Sequence, residues 1–197
     1  MEQRLWQGRG INEMKIDLVP YGGIESPVGT VTFPPTEFEM NTKGFAEAFQ
    51  NSLKLKINNN VPIRIVSLPG LVMLKFVAFD DRPFERQTDL QDIWYVLKNY
   101  LDAGNEDRLY QDSDLLDDEN FNFKTVGARL LGRDIAKILN DQTEKIILKY
   151  LSDDQNSGLI RISEIVNFRE NHLTENLNET IEMFQELRRG IFEVLEK

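Results

Sequence analysis

The chain contains no cysteine and a single histidine, His172, in 197 residues. Without cysteine there is neither a disulfide framework nor a thiolate metal site. One histidine gives no zinc set and no triad with a second imidazole or thiol. Long apolar runs are missing too. The longest, Leu71 to Phe79, is interrupted by Lys75 and falls far short of the roughly 20 residues that span a bilayer. The opening residues MEQRLWQGRG carry no apolar segment of a secretory signal. Positive charge is scarce. With 23 Lys and Arg against 33 Asp and Glu, the net charge is −10. Such a surface repels nucleic acid and anionic membranes at long range, which excludes an extensive nucleic-acid surface. Together these absences point to a cytoplasmic protein with no membrane association.

What is present suits a folded protein. Hydrophobic residues make up 41% and charged residues 28%, an ordinary balance for a chain that buries a core. The length accommodates one α/β domain and a smaller helical piece. The first third reads as strands and turns. Met14 to Val19 alternates and stops at Pro20 and Gly22-Gly23; Thr30 to Phe33 is bounded by Pro27, Gly29 and Pro34-Pro35. Their spacing suggests a hairpin or a meander. Gly44 to Gln50 reads as a short helix, Leu53 to Ile57 as a half-buried strand, and Ile63 to Val66 as another.

Helices follow. Ser67 is placed to cap one that has Pro69 in its first turn and runs to about Asp80. Thr88 is placed to cap the next, with Ile93, Val96, Leu97 and Tyr100 on one side. Further helices are expected over Thr125 to Leu139, Gln142 to Leu151 and Glu175 to Leu195. The last carries an apolar stripe that packs on the body or on a partner. The expected fold class is therefore α/β (or α+β), a mixed sheet covered by helices with a helical C-terminal part. Its divisions are 1–66 for the sheet part, 67–151 for the helical part and 152–197 for a linker and tail.

Several candidate motifs have plain explanations. Gly22-Gly23 fits a turn better than a phosphate loop, since no helix with Gly-x-Gly spacing follows. Asp153 to Glu164 matches a calcium loop at its first, sixth and twelfth positions. Gln155, Ser157 and Arg161 replace its other ligands, and a turn is the better reading. His172 reads as a surface or capping residue, and the acidic run Asp112, Asp114, Asp117, Asp118 and Glu119 as a solvated loop.

Four stretches occur in order: KIDLVPYGGIE from Lys15, SLPGLVMLKFVAFDDR from Ser67, TDLQDIWYVL from Thr88 and GARLLGRDIAKIL from Gly127. Together, over roughly residues 14 to 150, they resemble nucleotidyltransferases of the polymerase-β superfamily, in particular the AbiEii toxin-like branch. The resemblance implies NTP-dependent transfer of a nucleotide to a hydroxyl, assisted by Mg²⁺. It implies a Gly-Ser motif for the phosphates, an Asp-x-Asp pair for two metal ions, and a third Asp that corresponds to Asp17. It also implies a helical Lys, an Arg and a Lys-Asp-x-x-Asp stretch, matched by Lys75, Arg82, Asp89 and Asp92.

Asp17 and Lys75 are thus candidate catalytic residues, Asp17 being the metal ligand. Lys75, Arg82 and Arg86 form a candidate nucleotide-binding strip, in which Arg suits phosphate through its forked guanidinium. Asp89 and Asp92 share a helix face. Either they take a metal or base role, or they pair with Lys75 and Arg82 to pin two helices. Two departures stand out. Thr88 occupies the position of the family's Lys, and the thirteen residues before Met14 contain neither Gly-Ser nor Asp-x-Asp. The chain is therefore expected to be incomplete and inactive alone. The alternatives are a non-catalytic interaction module of toxin-antitoxin type, with a protein partner or a homo-oligomer formed through the C-terminal helix, and an enzyme completed by another chain.

Overall fold

The computed structural model describes residues 6–9, 15–34, 36–57, 61–117, 121–152, 158–169 and 177–196. All of its strands precede all of its long helices. The described strands form three separate two-stranded antiparallel ladders, where the sequence suggested one mixed sheet. In the first, β1 (Trp6–Arg9) pairs with β2 (Lys15–Leu18), Trp6 opposite Leu18. In the second, β3 (Thr30–Phe33) pairs with β4 (Phe38–Asn41), Phe33 opposite Phe38. In the third, β5 (Leu53–Ile57) pairs with β6 (Val61–Ile65). The expected hairpin between the Asp17 strand and the TVTF strand does not form. Each takes a nearer neighbour, and closing a shorter loop costs less entropy.

The loop from β2 to β3 folds around a carboxylate. Glu25 accepts hydrogen bonds from the backbone N–H of Gly22 at 2.9 Å and of Gly29 at 2.8 Å, and from Thr42 Oγ1 at 2.9 Å. Gly22 and Gly29 hold φ of 82° and 86°, conformations only glycine adopts without strain. The donors of this turn are therefore satisfied internally by Glu25. The short helix α1 (Phe45–Gln50) lies between the second and third ladders.

The body is helical. Helix α2 (Leu68–Asp81) is capped as its sequence suggests, Ser67 accepting from Gly70 N. It buries Gly70, Val72, Met73, Phe76, Val77 and Phe79. A helix apolar on nearly every side belongs in the middle of a fold, and α2 touches α3 (Gln87–Asn99), α4 (Val126–Ala136) and α5 (Asp141–Tyr150). Thr88 does not cap α3: the helix starts two residues earlier than such a cap implies, after Arg86. Asn140 caps α5 in a reciprocal box with Thr143. Between α3 and α4 lie short turns at Leu101–Asn105, Glu106–Tyr110 and Ser113–Leu115, the last inside the acidic run expected to be a loop.

Helix α6 (Gly158–Arg169) takes in residues 158–164, where the sequence suggested a turn, and buries Leu159, Ile162 and Val166. Helix α7 (Leu177–Leu195) turns Thr180, Met183, Phe184, Leu187, Gly190 and Ile191 inward. Its apolar stripe thus packs within its own chain, chiefly on α4 and then on α6. Helices α4 and α7 cross at glycines. A Cβ built on Gly132 would lie 2.1 Å from Leu187 O, and one on Gly190 would lie 1.9 Å from Arg129 O. Residues 153–157, the first five of the twelve in the calcium-loop candidate, and His172 lie outside the described residues.

Candidate functional site

Three of the candidate residues meet at one nitrogen. Lys75 projects from the third turn of α2, flanked by buried Phe76 and Val77. Asp89 and Asp92 stand one turn apart at the start of α3, where the helix dipole favours carboxylates. Lys75 Nζ donates to Asp89 Oδ1 at 2.7 Å and to Asp92 Oδ2 at 2.6 Å. Burial alone would lower the Lys75 pKa, but the hydrogen bonds and charges of the two carboxylates outweigh it and hold it above the ordinary lysine value. An ammonium has three donors, and two are spent here.

Asp89 is the buried member, its side chain only 4% exposed. Its Oδ2 has no hydrogen-bond partner. Arg86 Nε approaches this oxygen to 3.9 Å, near enough for charge attraction but too long for a hydrogen bond. Lys75, Arg86, Asp89 and Asp92 therefore form a charge-balanced group at the α2–α3 junction. It can clamp the helices, and the remaining Lys75 proton and the half-exposed Arg86 can meet an anion.

The other candidates lie apart from this group. Arg82 does not reach Asp89 or Asp92. Its Nε pairs with Asp81 at 3.2 Å, its Nη1 lies 3.9 Å from Glu85, and its guanidinium rests over the Phe38 ring at 5.4 Å. Asp17 sits on β2 opposite Gln7, exposed to solvent.

Whether these residues suit Mg²⁺ is a question of donor chemistry. Magnesium takes hard, charged oxygen ligands in octahedral array. Among the described residues no three Asp, Glu or His side chains converge, and the two carboxylates that do converge share an ammonium. The residues present do not by themselves compose a magnesium site.

Three ion-pair groups lie outside the sequence-based expectations, ranging from buried Arg129 and Arg133 to exposed Lys149. Arg129 Nε and Arg133 Nε donate to opposite oxygens of Glu193 at 2.7 Å and 2.6 Å, locking α4 to α7. Arg133 also donates to both carboxylate oxygens of Asp114. Asp114 stays exposed, as the acidic run suggested, but it is also an anchor, and Arg133 holds its carboxyl below the usual range. Asp134 accepts from Tyr100 OH at 2.6 Å and from both terminal nitrogens of Arg108. Asp80 accepts from Lys149 Nζ at 2.7 Å and Tyr150 OH at 2.9 Å. The available signal was a pair of arginines four apart, Arg129 and Arg133, inside a mostly apolar helix, since buried charges demand partners.

The architecture defines a mixed α/β protein dominated by helices. No family model, no curated protein and no solved structure matches the chain. Among the described residues no helix is long and apolar enough to cross a membrane.

Proposed function

We propose that this chain is a nucleotidyltransferase-like protein that does not transfer nucleotides by itself. The observation that supports the reading is the meeting of Lys75, Asp89 and Asp92, three positions of the resemblance drawn from two separate stretches, within 2.7 Å of one nitrogen. In this reading the free Lys75 proton and Arg86 receive the triphosphate of an NTP, Arg82 lies at the edge of that strip, and Asp89 and Asp92 hold Lys75 in place. Asp17 would offer one carboxylate to such a metal, and the remaining carboxylates would have to come from outside these residues. The Mg²⁺ of the family would supply charge neutralisation on the phosphates.

The test is a gain of function. A strand–helix unit carrying Gly-Ser and Asp-x-Asp is fused ahead of Met1, and pyrophosphate release is followed with protein and tRNA acceptors. The chain alone should release none, and the fusion should release it in a manner abolished by Lys75→Ala. A folded but inert fusion, or activity indifferent to Lys75→Ala, would refute the reading.

A second reading is a non-catalytic interaction module of toxin-antitoxin type. It is favoured by the charge balance of the Lys75 group, which suffices as a helix clamp, and by apolar surface displayed on the third ladder.

A further inference from the structure

The β5–β6 ladder is sorted into two unlike faces. Cross-strand partners point to the same side of a sheet. Leu53 lies opposite Ile65, Leu55 opposite Ile63 and Ile57 opposite Val61, so one face is composed of six aliphatic side chains. Lys54 opposite Arg64 and Lys56 opposite Pro62 form the other. The strand pattern promised a face buried against the body. Instead Leu53 is 54% exposed, Leu55 46%, Ile57 48%, Val61 57% and Ile65 42%. The ladder is moored from its basic side, where Arg64 Nη1 donates to Phe49 O and Ser52 Oγ, and its guanidinium lies 4.6 Å from the Phe49 ring centre. This fixes the hairpin to the end of α1 and leaves the aliphatic face outward.

We propose that this face is a homodimer interface, closed by the same face of a second copy. Two arguments select that occupant. The first is charge. The chain carries −10 overall, yet residues 53–65 contain Lys54, Lys56 and Arg64 and no acid. Two acidic copies repel least where each is locally basic, and here the basic side chains point away from the contact. An acidic partner would be drawn to the opposite face instead. The second is area. Five half-exposed aliphatic side chains and the partly exposed Ile63 offer on the order of 500 Å² per copy, so two faces bury about 1,000 Å² together, the lower bound of a specific interface. The surface is also its own complement, as a two-fold contact requires. An isolated two-stranded hairpin is only marginally stable, and stacking on a second one gives it the missing layer. The interface stands whether or not a nucleotide binds near Lys75.

The test uses the full chain and its lack of cysteine. Sedimentation equilibrium should show mass rising toward that of a dimer as concentration increases. Leu55→Lys should weaken association at least tenfold, while Lys56→Ser should leave it unchanged. A single thiol introduced by Leu55→Cys should be joined between copies by a cross-linker spanning about 10 Å, the spacing of stacked sheets; one introduced by Lys56→Cys should not. A chain that stays monomeric at every concentration overturns the proposal. So does a dimer that survives Leu55→Lys, or equal cross-linking from both positions.

Discussion

Replacing Gly190 by alanine sets two physical effects against each other with opposite signs. Judged by helix propensity alone, Ala in place of a mid-helix Gly stabilises by about 1 kcal/mol. Judged by the structure, the new Cβ would lie 1.9 Å from Arg129 O, 2.8 Å from Arg129 C and 3.1 Å from Arg133 N. These are backbone atoms, so no side-chain rotation relieves the clash; α4 and α7 must separate by roughly 1 Å or more. A gap of that size forfeits about a quarter to a half of each van der Waals contact it opens. The affected contacts include those of Leu187 and Ile191, both fully buried, and it also stretches the bonds from Arg129 and Arg133 to Glu193. Overpacking in a closed core costs about 1–3 kcal/mol, and at a backbone contact the upper end applies. After the propensity gain, a net loss of about 2 kcal/mol is expected. Urea unfolding followed by far-ultraviolet circular dichroism measures it as a lower midpoint with an unchanged slope. A Gly190→Ala chain as stable as the parent, or more stable, would refute the close α4–α7 crossing.

Two further outcomes follow from the ion pairs. Lys75→Met leaves buried Asp89 without its ammonium and should destabilise by about 2 kcal/mol, below the cost of a fully buried pair because Lys75 is partly solvated. Adding Asp89→Leu should recover most of that loss, and a double-mutant cycle with no coupling would rule out the clamp. The carboxyls of Asp134 and Glu193 are both depressed: burial works against this, but Arg108 and Tyr100 prevail at Asp134, and Arg129 and Arg133 at Glu193. A depressed folded value means stability that is complete above the unfolded value and lost as pH falls through the folded one. Urea midpoints should therefore hold from neutral pH to about 5 and fall below about 4. Midpoints that stay level down to pH 3 would contradict these pairings.

Much of the helical body was legible because α3, α4, α5 and α7 carry periodic apolar faces and α2 is an apolar run opened by the Ser67 cap. Asp89 and Asp92 could be placed on one face by their spacing alone, and Lys75 stood out as a charge in an apolar helix. The pairing of Lys75 with Asp89 and Asp92 was one of two readings the sequence left open; that Arg82 stays outside the group was not legible, since sequence spacing does not say how two helices dock. Strand pairing was less legible still. The segment at Lys15–Leu18 and that at Thr30–Phe33 are equally good strands, and only the loops decide that each pairs elsewhere. The alternation of Leu53 to Ile57 revealed a two-faced strand correctly but implied burial that the body does not provide. Glycines at 132 and 190 gave no periodic signal, yet they set the closest helix contact. Helix α6 was overlooked because Gly158, which reads as part of a linker, opens it.

The central claim is tested most directly by calorimetric titration of each nucleoside triphosphate, with Mg²⁺, into the intact chain and into its Lys75→Ala and Asp17→Asn variants. The account predicts weak triphosphate binding to the parent chain. Lys75→Ala should reduce it about tenfold or more, the worth of one charged hydrogen bond, and Asp17→Asn should change it little because this chain alone does not assemble the metal site. Absence of binding by every nucleotide would contradict the nucleotidyltransferase reading and leave the interaction module in its place.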